Sequence, residues 1–182
     1  MSPTPSSTAT CVGLAAALLL PAALLTACSA LSSDDGCQDT AAELKGLAAQ
    51  PLLGSAPTGA TEPANYRGTG VTTGCDDDSS GRPWLHADRL YAFPGKPDAV
   101  IAHYTKAASA DGWRPEADPD PAAPPPTVEG ACWTKTDKNR HLLLSVDFRT
   151  AGFSPTPEVG TGLAYAVTVG AEGDDGTATC WH

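Results

Sequence analysis

Four cysteines, Cys37, Cys75, Cys132 and Cys180, constrain this chain more than any other residues, because the segment ahead of them directs them to an oxidising compartment. Val12 to Leu25 is almost wholly apolar but shorter than the ~20 residues a membrane-spanning helix needs, which is the pattern of a removable export signal. The residues before Val12 include no Lys or Arg, although such signals normally open with positive charge. Cys11 falls within the removable part, residues 1–27, and Cys28 is the first residue after it, so the remaining cysteines are even in number. None forms a C-x-x-C pair, which argues against zinc or dithiol redox chemistry and for structural disulfides. Three connectivities are open in principle. Cys37–Cys75 with Cys132–Cys180 is favoured, since each bridge brackets one half of the exported chain and neither crosses the other. On the chain-entropy account each such loop contributes about 4 kcal/mol, comparable with the whole net stability of a marginal domain.

Leu25-Thr26-Ala27-Cys28 resembles the lipobox of bacterial lipoproteins, where a small residue before cysteine admits the signal peptidase and the thiol accepts a diacylglyceryl group. The resemblance implies that Cys28 is lipidated and that the protein is held on the outer face of the cytoplasmic membrane. Two acyl chains suffice for stable attachment, and no later segment approaches the ~20 apolar residues of a second crossing. Residues 28–36 then form a lipidated tether, whose polar stretch 29–36 reaches about 28 Å when fully extended. Residues 37–182 suffice for a single domain and fall short of the two lobes of a transport-type binding lipoprotein. Every charged side chain lies after Cys28, so the net charge of −10 belongs to the exported part. That balance argues against nucleic acid and against charge-driven adhesion to anionic lipid, both of which reward Lys and Arg.

Along the domain, Thr40-Ala41-Ala42-Glu43 has the pattern of a capping box and predicts a helix running to about Gln50, closed by Pro51. Residues 54–65 read as a loop, and Trp84 to Phe93 as a strand. A second helix starts at Pro97, places Val100, Tyr104, Ala107 and Ala108 on one face, and stops at Gly112, with Trp113 folding back over Ala108. The Pro-rich run 115–127 predicts an extended, solvated connection. Ala131 to Thr136 and His141 to Arg149 predict an antiparallel pair turned by Asp137-Lys138-Asn139-Arg140. Leu142, Leu144, Val146 and Phe148 alternate with Leu143, Ser145, Asp147 and Arg149, which gives the sheet one buried face. Leu163 to Val169 repeats the pattern, and Gly173-Asp174-Asp175-Gly176 leads into a short last strand ending at Cys180-Trp181-His182. The expected fold is α+β: an antiparallel sheet of four to five strands with two helices on one face and two disulfides. Because side chains alternate across a strand, a bridge between Cys132 and Cys180 on one face places the indoles of Trp133 and Trp181 on the other.

The acidic run at Cys75-Asp76-Asp77, the strand carrying Arg89 and Tyr91, the helix carrying Tyr104, Gly112-Trp113 and the strand at Cys132 together resemble small actinobacterial secreted lipoproteins of unassigned function. The resemblance covers roughly residues 70–150. It implies little beyond a hint of the fold, and it supplies no catalytic residues.

Candidate chemistry is sparse. Asp76, Asp78, Ser80 and Gly81 match the opening of a calcium loop, but Ala87 stands where the bidentate Glu is required, so a solvated acidic turn is the expectation. His86, His103, His141 and His182 show no metal-ligand spacing, and His86 with Asp88 is the one close pair suited to metal binding or proton transfer. No G-x-S-x-G elbow, phosphate loop or Ser-x-x-Lys motif appears, and Glu116, Asp118 and Asp120 stand in the Pro-rich run. No cofactor, metal or catalytic activity is expected. Among the large aromatics, Trp113 serves the helix stop, and Trp84, Trp133 and Trp181 remain as candidates for an exposed ligand-binding patch. The expected function is a non-enzymatic protein-interaction module at the cell envelope, with an unknown envelope protein as partner. The alternative is a binder of cell-wall glycan or of a small ligand.

Overall fold

Alternation on the strands decides the layering. The computed structural model describes residues 35–77, 81–116, 129–173 and 176–180. The chain divides into two units, Met1–Leu31 and Ser32–His182, and every described residue belongs to the second. Its principal elements are α1 (Ala41–Ala48), β1 (Thr72–Asp76), β2 (Trp84–Phe93), α2 (Pro97–Ala110), β3 (Arg114–Pro115), β4 (Gly130–Asp137), β5 (Arg140–Asp147) and β6 (Leu163–Glu172). The strands form one antiparallel sheet in the order β1-β2-β6-β5-β4-β3. At its centre β2 and β6 pair without interruption from Trp84 opposite Glu172 to Phe93 opposite Leu163. This is an α+β domain. Among the described residues, no helix is long and apolar enough to cross a membrane.

One face of the sheet is the core. Leu85, Ala87, Tyr91 and Phe93 of β2, Leu142, Leu144 and Val146 of β5, and Tyr165, Val167 and Val169 of β6 join one cluster with Leu47 of α1 and Val100, Tyr104 and Ala108 of α2. The helix face read from the sequence is thus the one that packs on the sheet. Gly112, at φ +82°, closes α2 as its spacing predicts. The Trp113 N–H donates to the Ala108 carbonyl at 3.0 Å and the Gly112 N–H to the Ser109 carbonyl at 3.3 Å, the paired bonds of a Schellman stop. Trp113 is 2% exposed beneath it.

The disulfides are Cys37–Cys75 and Cys132–Cys180, each with Cα atoms 5.9 Å apart, in the connectivity favoured by the spacing. The first ties the entry to α1 onto β1. The second ties β4 to the 176–180 segment.

Several expectations are corrected. The sheet has six strands rather than four or five, because β1 and β3 escape the hydrophobic pattern. β1, Thr-Thr-Gly-Cys-Asp, has no apolar alternation and lies at the sheet edge, held by its ladder to β2 and by the Cys75 bridge. β3 is two residues long, and Pro115 is tolerated there because an edge strand leaves one side unpaired. Residues 176–180 form no strand; the Cys132 bridge and a 2.6 Å bond from the Cys180 N–H to the Glu116 carboxylate hold them. The capping box does not form. Thr40 has helical backbone angles and its hydroxyl donates to the Cys37 carbonyl at 2.9 Å, while Glu43 pairs with Arg140 at 3.5 Å. Finally, Leu143 is buried although it belongs to the face without helices.

Candidate binding face

The sheet face opposite the helices carries the exposed chemistry. Two loops cover one end of it. The Ala64 N–H donates to the Glu158 carbonyl at 3.0 Å, the Asn65 amide to the Thr156 carbonyl at 2.9 Å, the Glu158 N–H back to the Asn65 side chain at 2.9 Å, and the Tyr66 hydroxyl to the Pro155 carbonyl at 2.6 Å. These bonds fasten the 61–70 loop to the 150–160 loop, and Tyr66 meets Phe153 edge to face, ring centres 6.5 Å apart. Under them Leu90 is 7% exposed even though it points away from the core.

Alternation on β2 brings Trp84, His86, Asp88 and Leu90 to this face, and the β2–β6 register sets Thr168 opposite Asp88. The result is a polar row. His86 Nδ1 lies 2.5 Å from Asp88, Thr168 donates to the other Asp88 oxygen at 2.6 Å, and His86 Nε2 faces Asp76 at 3.4 Å. The Asp88 hydrogen bond, helped by the charges of Asp88 and Asp76, raises the His86 pKa above its ordinary value against the opposing effect of burial. The order of the row matters for chemistry. A nucleophilic triad requires the hydroxyl to meet the imidazole, and here the Thr168 hydroxyl meets the carboxylate while both imidazole nitrogens face carboxylates.

Glycines seat the two rings that β2 turns to this face. A Cβ on Gly74 would strike the His86 imidazole, and one on Gly170 would strike the six-membered ring of Trp84. Each ring therefore lies directly on the neighbouring strand's backbone. Trp84 borders a groove of about 500 Å³ whose walls include Leu143, Ser145, Thr168 and the Cys132–Cys180 bridge. At its rim Arg149 pairs with Asp147 at 3.0 Å and with Glu129 at 3.6 Å. A smaller depression, about 260 Å³, lies under the fastened loops between Glu62, Tyr66, Thr72, Asp88, Leu90 and Phe153. Glu62 accepts the Gly68 and Gly70 N–H groups at 2.7 and 3.2 Å and pairs with Arg89 at 3.3 Å. The Gly68 bond foremost, with the Arg89 charge, lowers its pKa although burial opposes this.

Of the aromatic candidates, Trp84 lines the groove. Trp133 does not: at 3% exposed it packs in the core, because odd-numbered residues of β4 point to the helices. Cys132 lies on the opposite face, in the groove wall, as alternation requires; Trp181 lies outside the described residues. Cys28, Asp78, Ser80, Asp118, Asp120 and His182 also lie outside them. Asp76 is described and faces His86. Among the described residues no group of three or more His, Cys, Asp or Glu side chains could hold a metal ion. His103 is bonded to the Ser55 carbonyl at 2.8 Å, and His141 sits near the Thr136 hydroxyl at 3.5 Å, both away from the row. Sequence reasoning passed over Gly170, Glu62, Tyr66 and Phe153. Gly170, interrupting the β-branched run of β6, carried a signal of close approach; the other three lie in loops without periodicity.

No protein-family model, no curated protein and no solved structure matches this chain.

Proposed function

We propose that this chain is an extracytoplasmic lipoprotein, anchored through lipid on Cys28 to the outer face of the cytoplasmic membrane, which binds another envelope protein without catalysing a reaction. The address rests on the export-type segment 1–27 and on Leu25-Thr26-Ala27-Cys28. Two disulfides suit an oxidising compartment. The binding reading is carried by one observation: the sheet face opposite α1 and α2 holds a groove of about 500 Å³ walled by strand residues and a disulfide, a concavity of the size small ligands or partner side chains occupy. The non-enzymatic reading is supported by the polar row, whose hydroxyl is bonded to Asp88 and not to His86.

Crosslinking in living cells, followed by purification of the tagged protein, tests this. The expected result is a reproducible membrane or wall protein, lost in a Cys28→Ser variant and lost again in Ser145→Arg, which fills the groove. Capture unchanged by both substitutions refutes the reading, as does turnover of an envelope substrate by the purified protein. A second reading, cell-wall glycan or small-ligand binding, is favoured by the place of Trp84 in the groove wall, since an indole offers a broad contact surface to a sugar ring. Retention of the protein on cell-wall fragments, abolished by Trp84→Ala, would decide for it.

A further inference from the structure

We propose that the smaller depression on the helix-free face, between Tyr66, Phe153, Glu62 and Asp88, is a seat for an ammonium group. The inference deepens the proposed function by naming what the partner presents.

The lining has two parts. Tyr66 and Phe153 meet at an interplanar angle of 87°, forming an aromatic corner above the buried Leu90 side chain. Glu62 and Asp88 supply carboxylates to the same depression. A carboxylate offers about four acceptor positions. Glu62 uses three, for Gly68, Gly70 and Arg89, and Asp88 uses two, for His86 and Thr168. Acceptor capacity therefore remains on both, in a place where a partly desolvated cation also meets aromatic faces. An ammonium supplies three donors and one compact charge, which suits both parts of the lining.

Other ligand classes fit less well. Among the described residues no Lys or Arg lines the depression, and the Arg89 guanidinium is engaged by Glu62. An anion would meet two carboxylates and a chain whose net charge is −10. The volume, about 260 Å³, falls just below the range of small-molecule pockets, so it takes the head of a side chain or a small amine more readily than an oligosaccharide. The corner is also preformed, since the bonds between Ala64, Asn65 and Tyr66 and the 155–158 segment hold both loops in place before any ligand arrives.

The amine can be a lysine side chain of the partner or a free small amine, and titration separates them. The purified protein, with isotope-labelled aromatic rings, is titrated in separate arms with a lysine-bearing peptide, with n-butylamine, and with the same peptide acetylated on its lysine nitrogen. The expected result is a saturable shift of the Tyr66 and Phe153 signals that acetylation weakens at least tenfold and that salt diminishes. Tighter binding of the peptide than of butylamine assigns the seat to a protein partner; equal binding assigns it to a free amine. Phe153→Leu, a half-buried position outside the core cluster, should weaken binding about three- to tenfold. Asp88→Asn should weaken it further.

Equal shifts with the acetylated peptide, or shifts confined to other residues, overturn the inference. In that event loss of the crosslinked partner in Ser145→Arg would still support the proposed function, so the two fail separately.

Discussion

Replacing Gly170 by alanine tests whether Trp84 is seated as described, and the sign of the effect depends on its neighbour. The backbone of Gly170 is not in the left-handed region, so alanine introduces no strain in φ, and by itself the change removes freedom from the unfolded chain. That term stabilises by about 0.4–1 kcal/mol. Against it stands the added Cβ, which falls within the van der Waals envelope of the Trp84 six-membered ring, so the indole must lift off β6. Overpacking of this kind costs about 1–3 kcal/mol. The net expectation is a loss of about 1–2 kcal/mol, measured as a lower urea midpoint at unchanged slope. In a Trp84→Ala background the obstacle is gone, and the same Gly170→Ala change should stabilise by up to about 1 kcal/mol. The double-mutant cycle therefore gives a coupling of about 2 kcal/mol between Trp84 and Gly170. If Gly170→Ala costs the same in both backgrounds, the indole does not rest on that glycine and the account of the groove wall is wrong.

Converting Cys132 and Cys180 together to serine should cost about 4 kcal/mol from loop entropy at a sequence separation of 48, and more protection in hydrogen exchange should vanish at 176–180 than at β1 after loss of Cys37–Cys75, because β1 keeps its ladder to β2. Equal loss in the two segments would refute that difference. His86 has a raised folded-state pKa, so its pairing with Asp88 and Asp76 contributes stability that is full below the unfolded value of 6.5 and fades as pH rises through the folded value. Thermal unfolding of the wild type and of His86→Gln should therefore differ most near pH 5.5 and converge as pH rises beyond the histidine range; a gap that widens with pH refutes the pairing. The buried hydroxyls of Tyr104 and Tyr165 lie near each other without forming a hydrogen bond of good geometry, whereas that of Tyr91 donates to the Leu53 carbonyl at 2.6 Å. Tyr165→Phe should leave the urea midpoint unchanged or raise it, while Tyr91→Phe should cost about 1 kcal/mol, and the reverse ranking would show that the hydroxyls are wrongly placed.

What was legible in the sequence follows from what each element depends on. β2, α2, β4, β5 and β6 announce themselves because burial on one side imposes period 2 or period 3.6 on their side chains, and the Pro97 and Gly112 boundaries of α2 express backbone angles that few other residues supply. β1 is held instead by partners distant in sequence, a strand ladder and a disulfide, so its own residues need carry no pattern. Alternation correctly turned Cys132 and Trp133 to opposite faces, but it does not say which face is covered, and the outcome for Trp133 was decided by helices elsewhere in the chain. The same reasoning separates the two halves of the candidate site. Trp84, His86, Asp88 and Thr168 share a face because strand register puts them there, and that much was available from period 2 once β2 and β6 were paired. Glu62, Tyr66 and Phe153 reach the same face only because two loops are fastened to each other by backbone groups, the Asn65 side chain and the Tyr66 hydroxyl, contacts that no periodicity in the sequence advertises. A candidate site assembled from a strand face and a loop corner is therefore half visible in a lone sequence, and the invisible half supplies the aromatic corner on which the proposed ligand rests.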